Sequence, residues 1–253
     1  MAQQAWVPPS KLDERLKYRL VPPGLYIRYL VAKANLKGEA ELKLVPFLAD
    51  PLRVSLDIGA NKGVYSFVLR RHSRRVVAFE PNPKIRAVLC RWADTQVEVL
   101  PYALADKNGR TELRIPRGSR GYSNQRGTLS RARMSGNDGI VEVEARRLDE
   151  LGFRDIGFIK IDVEGFEREV VEGARETLLR ERPRLLIEIE EYHTRRPIED
   201  DLAFVEGLGF RGYFLKNHKV LTPLSEFDPE SQHRKSRERD RAHYVYNFIF
   251  LPR

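Results

Sequence analysis

The apolar positions change period along the chain, and the change divides it. From residue 53 onward, short runs rich in valine, isoleucine and leucine alternate with longer stretches whose apolar residues recur three or four apart. The runs 53–58, 75–80, 97–101, 157–162, 184–190, 211–216 and 245–251 predict strands, and 64–72, 83–93, 166–182 and 199–208 predict the helices between them. Strands that alternate with helices build a mostly parallel sheet covered on both faces, so the expected fold class is α/β with a seven-stranded sheet. Segments 110–115 and 140–146 read as a hairpin-like pair. Between them, 116–139 has no regular pattern, a length that compact domains keep for a functional loop or a disordered one. Residues 11–50 read as helical, with Pro22-Pro23-Gly24 breaking them in two. The first piece, 11–20, spaces Leu12, Leu16 and Leu20 four apart, which makes one apolar stripe. The domain reading is therefore an N-terminal helical extension over 1–50 and one α/β domain over 51–253.

Composition narrows the class without naming a chemistry. The 253 residues are 42% hydrophobic and 32% charged, ordinary for a globular protein. No run approaches the roughly 18 apolar residues that span a bilayer. The start, Met1-Ala2-Gln3-Gln4-Ala5-Trp6, lacks the basic leader and apolar core of a secretory signal, so a cytoplasmic protein is expected. Cys90 is the single cysteine, which rules out an internal disulfide framework and a thiolate-clustered metal site.

The net charge of +9 fits nucleic acid, anionic lipid or an anionic glycan as partner. Between Pro116 and Asn137 stand five arginines, Arg117, Arg120, Arg126, Arg131 and Arg133, and no acid. That stretch reads either as a solvated surface loop or as a substrate lid for an anionic acceptor. The N-terminal preface suits capping the sheet, supporting a homodimer, or docking on a membrane surface.

Chemistry concentrates at the strand ends. Val54-Ser-Leu-Asp-Ile-Gly-Ala-Asn-Lys-Gly63 is an apolar strand that runs into an acid and a tight small-residue turn before a helix. Gly59 and Gly63 let the backbone bend and approach a ligand, and the helix after them offers unpaired N–H groups. A dinucleotide fingerprint would need a further glycine where Val64 stands. The next strand, Arg75-Val-Val-Ala-Phe-Glu80, ends in a carboxylate able to accept both hydroxyls of a ribose, and Pro81 and Pro83 start the helix behind it. A third strand closes on two acids and a glycine, Ile159-Lys-Ile-Asp-Val-Glu-Gly-Phe-Glu167.

Together these stretches resemble the FkbM-type methyltransferases, which use S-adenosylmethionine and mostly methylate hydroxyls of sugars and natural products. The resemblance covers roughly 54–221 and implies the Rossmann-like class I methyltransferase fold. It also implies that Asp57, Gly59, Asn61 and Gly63 surround the methionine end of the donor and that Glu80 holds its ribose. Asp106 is the nominee for the adenine, its alternative being a turn aspartate before Lys107-Asn108-Gly109. On the acceptor side, Asp162 is placed near the methyl-transfer centre, while Glu164 reads better as a helix cap. The resemblance also implies an acid and a histidine around the end of the 184–190 strand, which makes His193 the candidate general base and Glu188 its orienter; an unperturbed imidazole titrates near pH 6.5 and can accept a proton. A divalent metal on Asp162 with Glu188 or Glu190 is conceivable but not favoured. Two other readings stay open. RNA methylation would explain the basic charge, although no Lys-Asp-Lys-Glu tetrad is evident and only Tyr122 stands among the loop arginines. A non-catalytic S-adenosylmethionine-binding scaffold is the other.

Overall fold

The computed structural model describes residues 7–8, 12–37, 39–118, 121–122, 127–129, 138–239 and 243–253. The first half runs α1 (Leu12–Leu20), α2 (Pro23–Lys37), a 3₁₀ turn (Ala40–Leu44), α3 (Val45–Leu48), β1 (Val54–Ile58), α4 (Val64–Leu69), β2 (Arg75–Phe79), α5 (Pro83–Cys90) and β3 (Val97–Leu100). Then come β4 (Ala103–Leu104), β5 (Gly109–Ile115), β6 (Arg117–Gly118), β7 (Gly121–Tyr122) and β8 (Gly139–Arg146). The last part holds β9 (Ile156–Ile161), α6 (Glu167–Gly173), α7 (Arg175–Glu181), β10 (Arg184–Glu188), α8 (Glu191–Thr194), α9 (Ile198–Gly207), β11 (Phe210–Lys216), β12 (Val220–Pro223), α10 (Ser236–Arg239) and β13 (Asn247–Pro252).

The seven expected strands all form. They lie in the order β3-β2-β1-β9-β10-β13-β11, with β12 added at the edge as the eighth strand. Strands β3 through β10 pair in parallel, whereas β13 is antiparallel to both its neighbours. β1 and β9 are buried along their whole length, as the apolar runs require of strands covered on both faces. β8 alternates buried and exposed residues and pairs antiparallel with β5 in a separate small sheet. This is the Rossmann-like α/β class, and its strand order reverses between β1 and β9, where such sheets bind their ligands.

Two expected elements differ. The single helix over 166–182 is two helices that meet at Ala174, whose φ of −109° and ψ of 3° leave the helical region. Just before the break, a Cβ on Gly173 would lie 1.9 Å from the Ala105 carbonyl oxygen, so β4 and α6 are in close contact. The apolar stripe of α1 also faces away from the core: Leu12, Leu16 and Leu20 are 72%, 50% and 74% exposed. The face that α1 buries carries Glu14, whose carboxylate pairs with the equally buried Lys84 at 2.9 Å. α2 supplies the expected cover. Its Ile27 and Ala34 pack with Leu42, Val45 and Leu48 into the same core as Phe67, Phe158 and Leu186, on one face of the sheet. No helix among the described residues is long and apolar enough to cross a membrane.

Candidate active site

The turn after β1 has the backbone that its glycines demand. Gly59 (φ +79°), Asn61 (φ +52°) and Gly63 (φ +82°) are left-handed, and Gly59 and Ala60 donate to the Phe79 carbonyl. Glycine is required at 59 by space as well as by φ, because a Cβ there would lie 1.8 Å from the carbonyl oxygen of Asp162. The carboxyl ends of β1 and β9 thus touch through backbone alone, and Asp162 donates its N–H to Ile58.

Glu80 ties this turn to the next. Its Oε2 accepts from the Asn61 N–H and its Oε1 from the Asn82 N–H, each at 2.8 Å. Asn82 in turn caps α5 by accepting from the Lys84 N–H, and Pro83 occupies the first helical position. Burial pushes the Glu80 carboxyl up to about 7, against the pull of its two N–H donors. Asp57, buried and accepting from the Ser66 hydroxyl, is pushed up to about 6, again chiefly by burial. Asp57, Gly59, Asn61, Glu80 and Asp162 all line one cavity of about 500 Å³ at the carboxyl edge of the sheet. Gly63 stands outside its lining and packs on Leu89 and Trp92, where a Cβ would come within 2.4 and 2.3 Å.

Strand parity builds the other end of the cavity. Asp57 lies opposite Lys160, and Leu186 lies opposite Lys160 on its other side, so Asp57, Lys160, Asp162 and Glu188 point to one face. Lys160 is 2% exposed, an ammonium inside an otherwise apolar strand. Its Nζ lies 3.5 Å from Asp162 and over the Tyr65 ring at 5.2 Å. Burial opposes its charge, but Asp162, Glu188, Asp57 and Glu39 outweigh burial and hold its pKa above the ordinary lysine value. Burial and the neighbouring Asp162 push the Glu188 carboxyl well above the usual range. Glu39, from the segment after α2, also lines this end with Tyr65. Reading the sequence missed Lys160, Tyr65 and Glu39. A lone lysine in the run Ile156-Gly-Phe-Ile-Lys-Ile161 was the available signal for the first; nothing local marks the other two.

Other nominated residues fall differently from expectation. His193 does not line the cavity. Its Nδ1 sits 3.3 Å from the Glu164 carboxylate, which does, so the acid against the imidazole is Glu164 rather than Glu188. Asp106 is not among the residues that line the cavity; its carboxylate pairs with Lys107 at 3.5 Å, while Tyr102, Ala103 and Leu104 do line it. Of the five loop arginines only Arg117 is described, stacked over Tyr122, while Arg120, Arg126, Arg131 and Arg133 lie outside the described residues. Gly127 and Leu129 of the same loop do reach the cavity. Among the described residues no group of three or more histidines, cysteines or acids is arranged to hold a metal ion.

The loop that carries Glu164 is shaped by Glu167 rather than by a cap from Glu164 itself. Oε1 of Glu167 accepts from the N–H groups of Gly165 and Val163, at 2.9 and 3.2 Å, while its buried Oε2 has no partner among the described residues. Burial pushes this carboxyl up to about 8. A folded pKa above the unfolded value means stability fully present in acid and lost as pH rises through about 8. Glu167→Gln keeps the acceptor and removes the titration. Its unfolding free energy is therefore expected to gain on the wild type by about 2 kcal/mol between pH 6 and 9. Denaturant unfolding at the two pH values measures this, and parallel curves for both proteins would refute it.

Comparison with known proteins agrees with the geometry. The model of the methyltransferase FkbM domain matches residues 57–215, from the acid of the first turn to β11. The 2-O-methyltransferase NoeI of Sinorhizobium fredii (strain NBRC 101917 / NGR234) is 32% identical over 158 residues, which are 55% of this chain and 65% of that protein. The chain thus spans just under two thirds of that curated relative. Among solved structures, the methyltransferase FkbM of Methylobacillus flagellatus KT aligns with TM-score 0.49 and 17% identity, over 80% of this chain and 44% of that one. SMU.1697c, a putative methyltransferase of Streptococcus mutans in complex with SAH, aligns with TM-score 0.47 and 9% identity, over 84% and 96%. With the domain match covering more than half of the chain, from the end of β1 through β10, the chain belongs to the FkbM methyltransferase family.

Proposed function

We propose that this methyltransferase moves a methyl group from S-adenosylmethionine to a hydroxyl of a sugar, glycan or natural product. The observation that carries this reading is Glu80, a buried carboxylate fixed by N–H groups from two turns beside the glycine-built approach at Gly59. The residues fit the donor. Glu80 would hold the ribose hydroxyls, the Gly59–Asn61 turn the amino-acid end, and Tyr102 and Leu104 the purine in place of Asp106. Six acids in the lining, Glu39, Asp57, Glu80, Asp162, Glu164 and Glu188, outnumber its three lysines, Lys33, Lys62 and Lys160, and suit a cationic ligand. When bound, the donor supplies an electrophilic methyl on a sulfonium.

At the far end, Asp162, Glu188 and Glu39 are placed to accept hydrogen bonds from a hydroxylated acceptor, and Lys160 to donate to one of its oxygens. An anionic acceptor, which the loop arginines suggested, would meet Asp162 and two further acidic groups here, so neutral hydroxyls suit this end better. The Glu164–His193 pair takes the proton that the acceptor oxygen loses as it is methylated. The name of the 2-O-methyltransferase relative supports a hydroxyl target.

Two measurements test the donor site. Saturating S-adenosylhomocysteine, at about 100 times its dissociation constant, is expected to add about 2.7 kcal/mol and raise the unfolding midpoint by roughly 5–10 °C, with NADH giving no shift. An NADH shift without a homocysteine shift would overturn the reading. Since the ribose needs an ionised acceptor, affinity is also expected to rise with pH through about 7, where Glu80 titrates, and then level off. Isothermal titration from pH 6 to 8 reads it. A Glu80→Gln variant that kept the same pH dependence would move the proton to another group.

A further inference from the structure

The N-terminal helices carry apolar side chains that the fold does not use. Leu12, Leu16 and Leu20 form one exposed stripe along α1. Leu25, Tyr29 and Leu36 form a second along α2, opposite the buried Ile27 and Ala34, and Phe47 and Leu52 are exposed nearby in sequence. Tyr18 and Tyr26 meet edge to face at 5.6 Å and hold the two helices together. Basic side chains accompany the stripes. Arg15, Arg19 and Arg28 are exposed, and none has a carboxylate partner among the described residues. Of the two acids in these helices, Asp13 and Glu14, the latter is turned inward onto Lys84.

We infer that α1 and α2 dock this protein on an anionic lipid bilayer. Exposed leucines with unpaired arginines on the same helices are what an interfacial helix needs: apolar side chains enter the headgroup boundary while cations meet lipid phosphates. A second copy of the chain is the competing occupant. A symmetric interface would set Arg15, Arg19 and Arg28 of one copy close to those of the other, with Asp13 the one further acid in each copy's helices. Anionic lipid satisfies both features at once. The docked face and the cavity wall are two sides of one helix, since α2 also gives Leu30, Lys33 and Ala34 to the cavity.

Flotation of the full chain with vesicles tests this. Binding is expected to vesicles of phosphatidylcholine with about one third phosphatidylglycerol, to weaken with salt, and to be negligible on phosphatidylcholine alone. Arg15→Glu with Arg19→Glu, and separately Leu16→Glu with Leu20→Glu, are each expected to weaken it at least about tenfold while leaving S-adenosylhomocysteine affinity unchanged. Inorganic phosphate is not expected to compete. Absence of flotation with anionic vesicles, flotation that both pairs leave unchanged, or a solution dimer dissociated by the leucine pair would each overturn the proposal.

Discussion

Gly59→Ala is expected to weaken S-adenosylhomocysteine binding at least about 100-fold while the chain still folds. Two costs coincide at this position. Alanine is disfavoured at φ +79°, by about 1–2 kcal/mol, and its Cβ would stand 1.8 Å from the carbonyl oxygen of Asp162. That overlap is with backbone, so no rotamer relieves it, and the ends of β1 and β9 must separate. Separation displaces the Asn61 N–H from Glu80 and Asp162 from Ile58, the contacts that shape the end of the cavity proposed for the donor. The turn lies at the sheet's edge, so the core on either face survives. Gly24→Ala is the control: no atom lies within 4 Å of its added Cβ, and it should change nothing in binding. Calorimetric titration with a circular dichroism spectrum for each variant decides the matter. Unchanged affinity in Gly59→Ala would mean that the two turns do not meet as described.

The second large effect belongs to the proton. His193→Ala is expected to slow methyl transfer by roughly 10²–10⁴-fold, the usual worth of a general base, and to spare donor affinity. Because Nδ1 of His193 lies 3.3 Å from Glu164 and only Glu164 lines the cavity, the two should act as a unit. Glu164→Gln is then expected to fall as far, and the double variant no further. Single-turnover rates with a methyl-labelled donor measure this. Additive losses would separate the two residues, and normal turnover in His193→Ala would pass the proton to Asp162 or Glu188.

The strands were legible in the chain alone, because a parallel strand covered on both faces must be apolar throughout, and such runs are visible without a partner. The sequence also marked the residues proposed to hold the donor. Asp57, Gly59, Asn61 and Glu80 lie within one strand–turn–helix–strand unit, and their spacing is local. The other end of the cavity, proposed for the acceptor, was a different matter. That Lys160 lies between Asp57 and Leu186 follows from register between strands more than twenty residues apart in sequence. That Glu39 joins it depends on how α2 packs across the sheet. Likewise Asp106 follows a strand in the sequence, but only the packing of the chain shows that the cavity is lined by Tyr102, Ala103 and Leu104 and not by Asp106. The leucine stripe of α1 is legible as a stripe, but that it faces outward while Glu14 pairs with Lys84 on the buried side is decided by the packing. Local pattern fixes which element forms and which of its faces are apolar. Only the long-range packing of those faces decides what each of them meets.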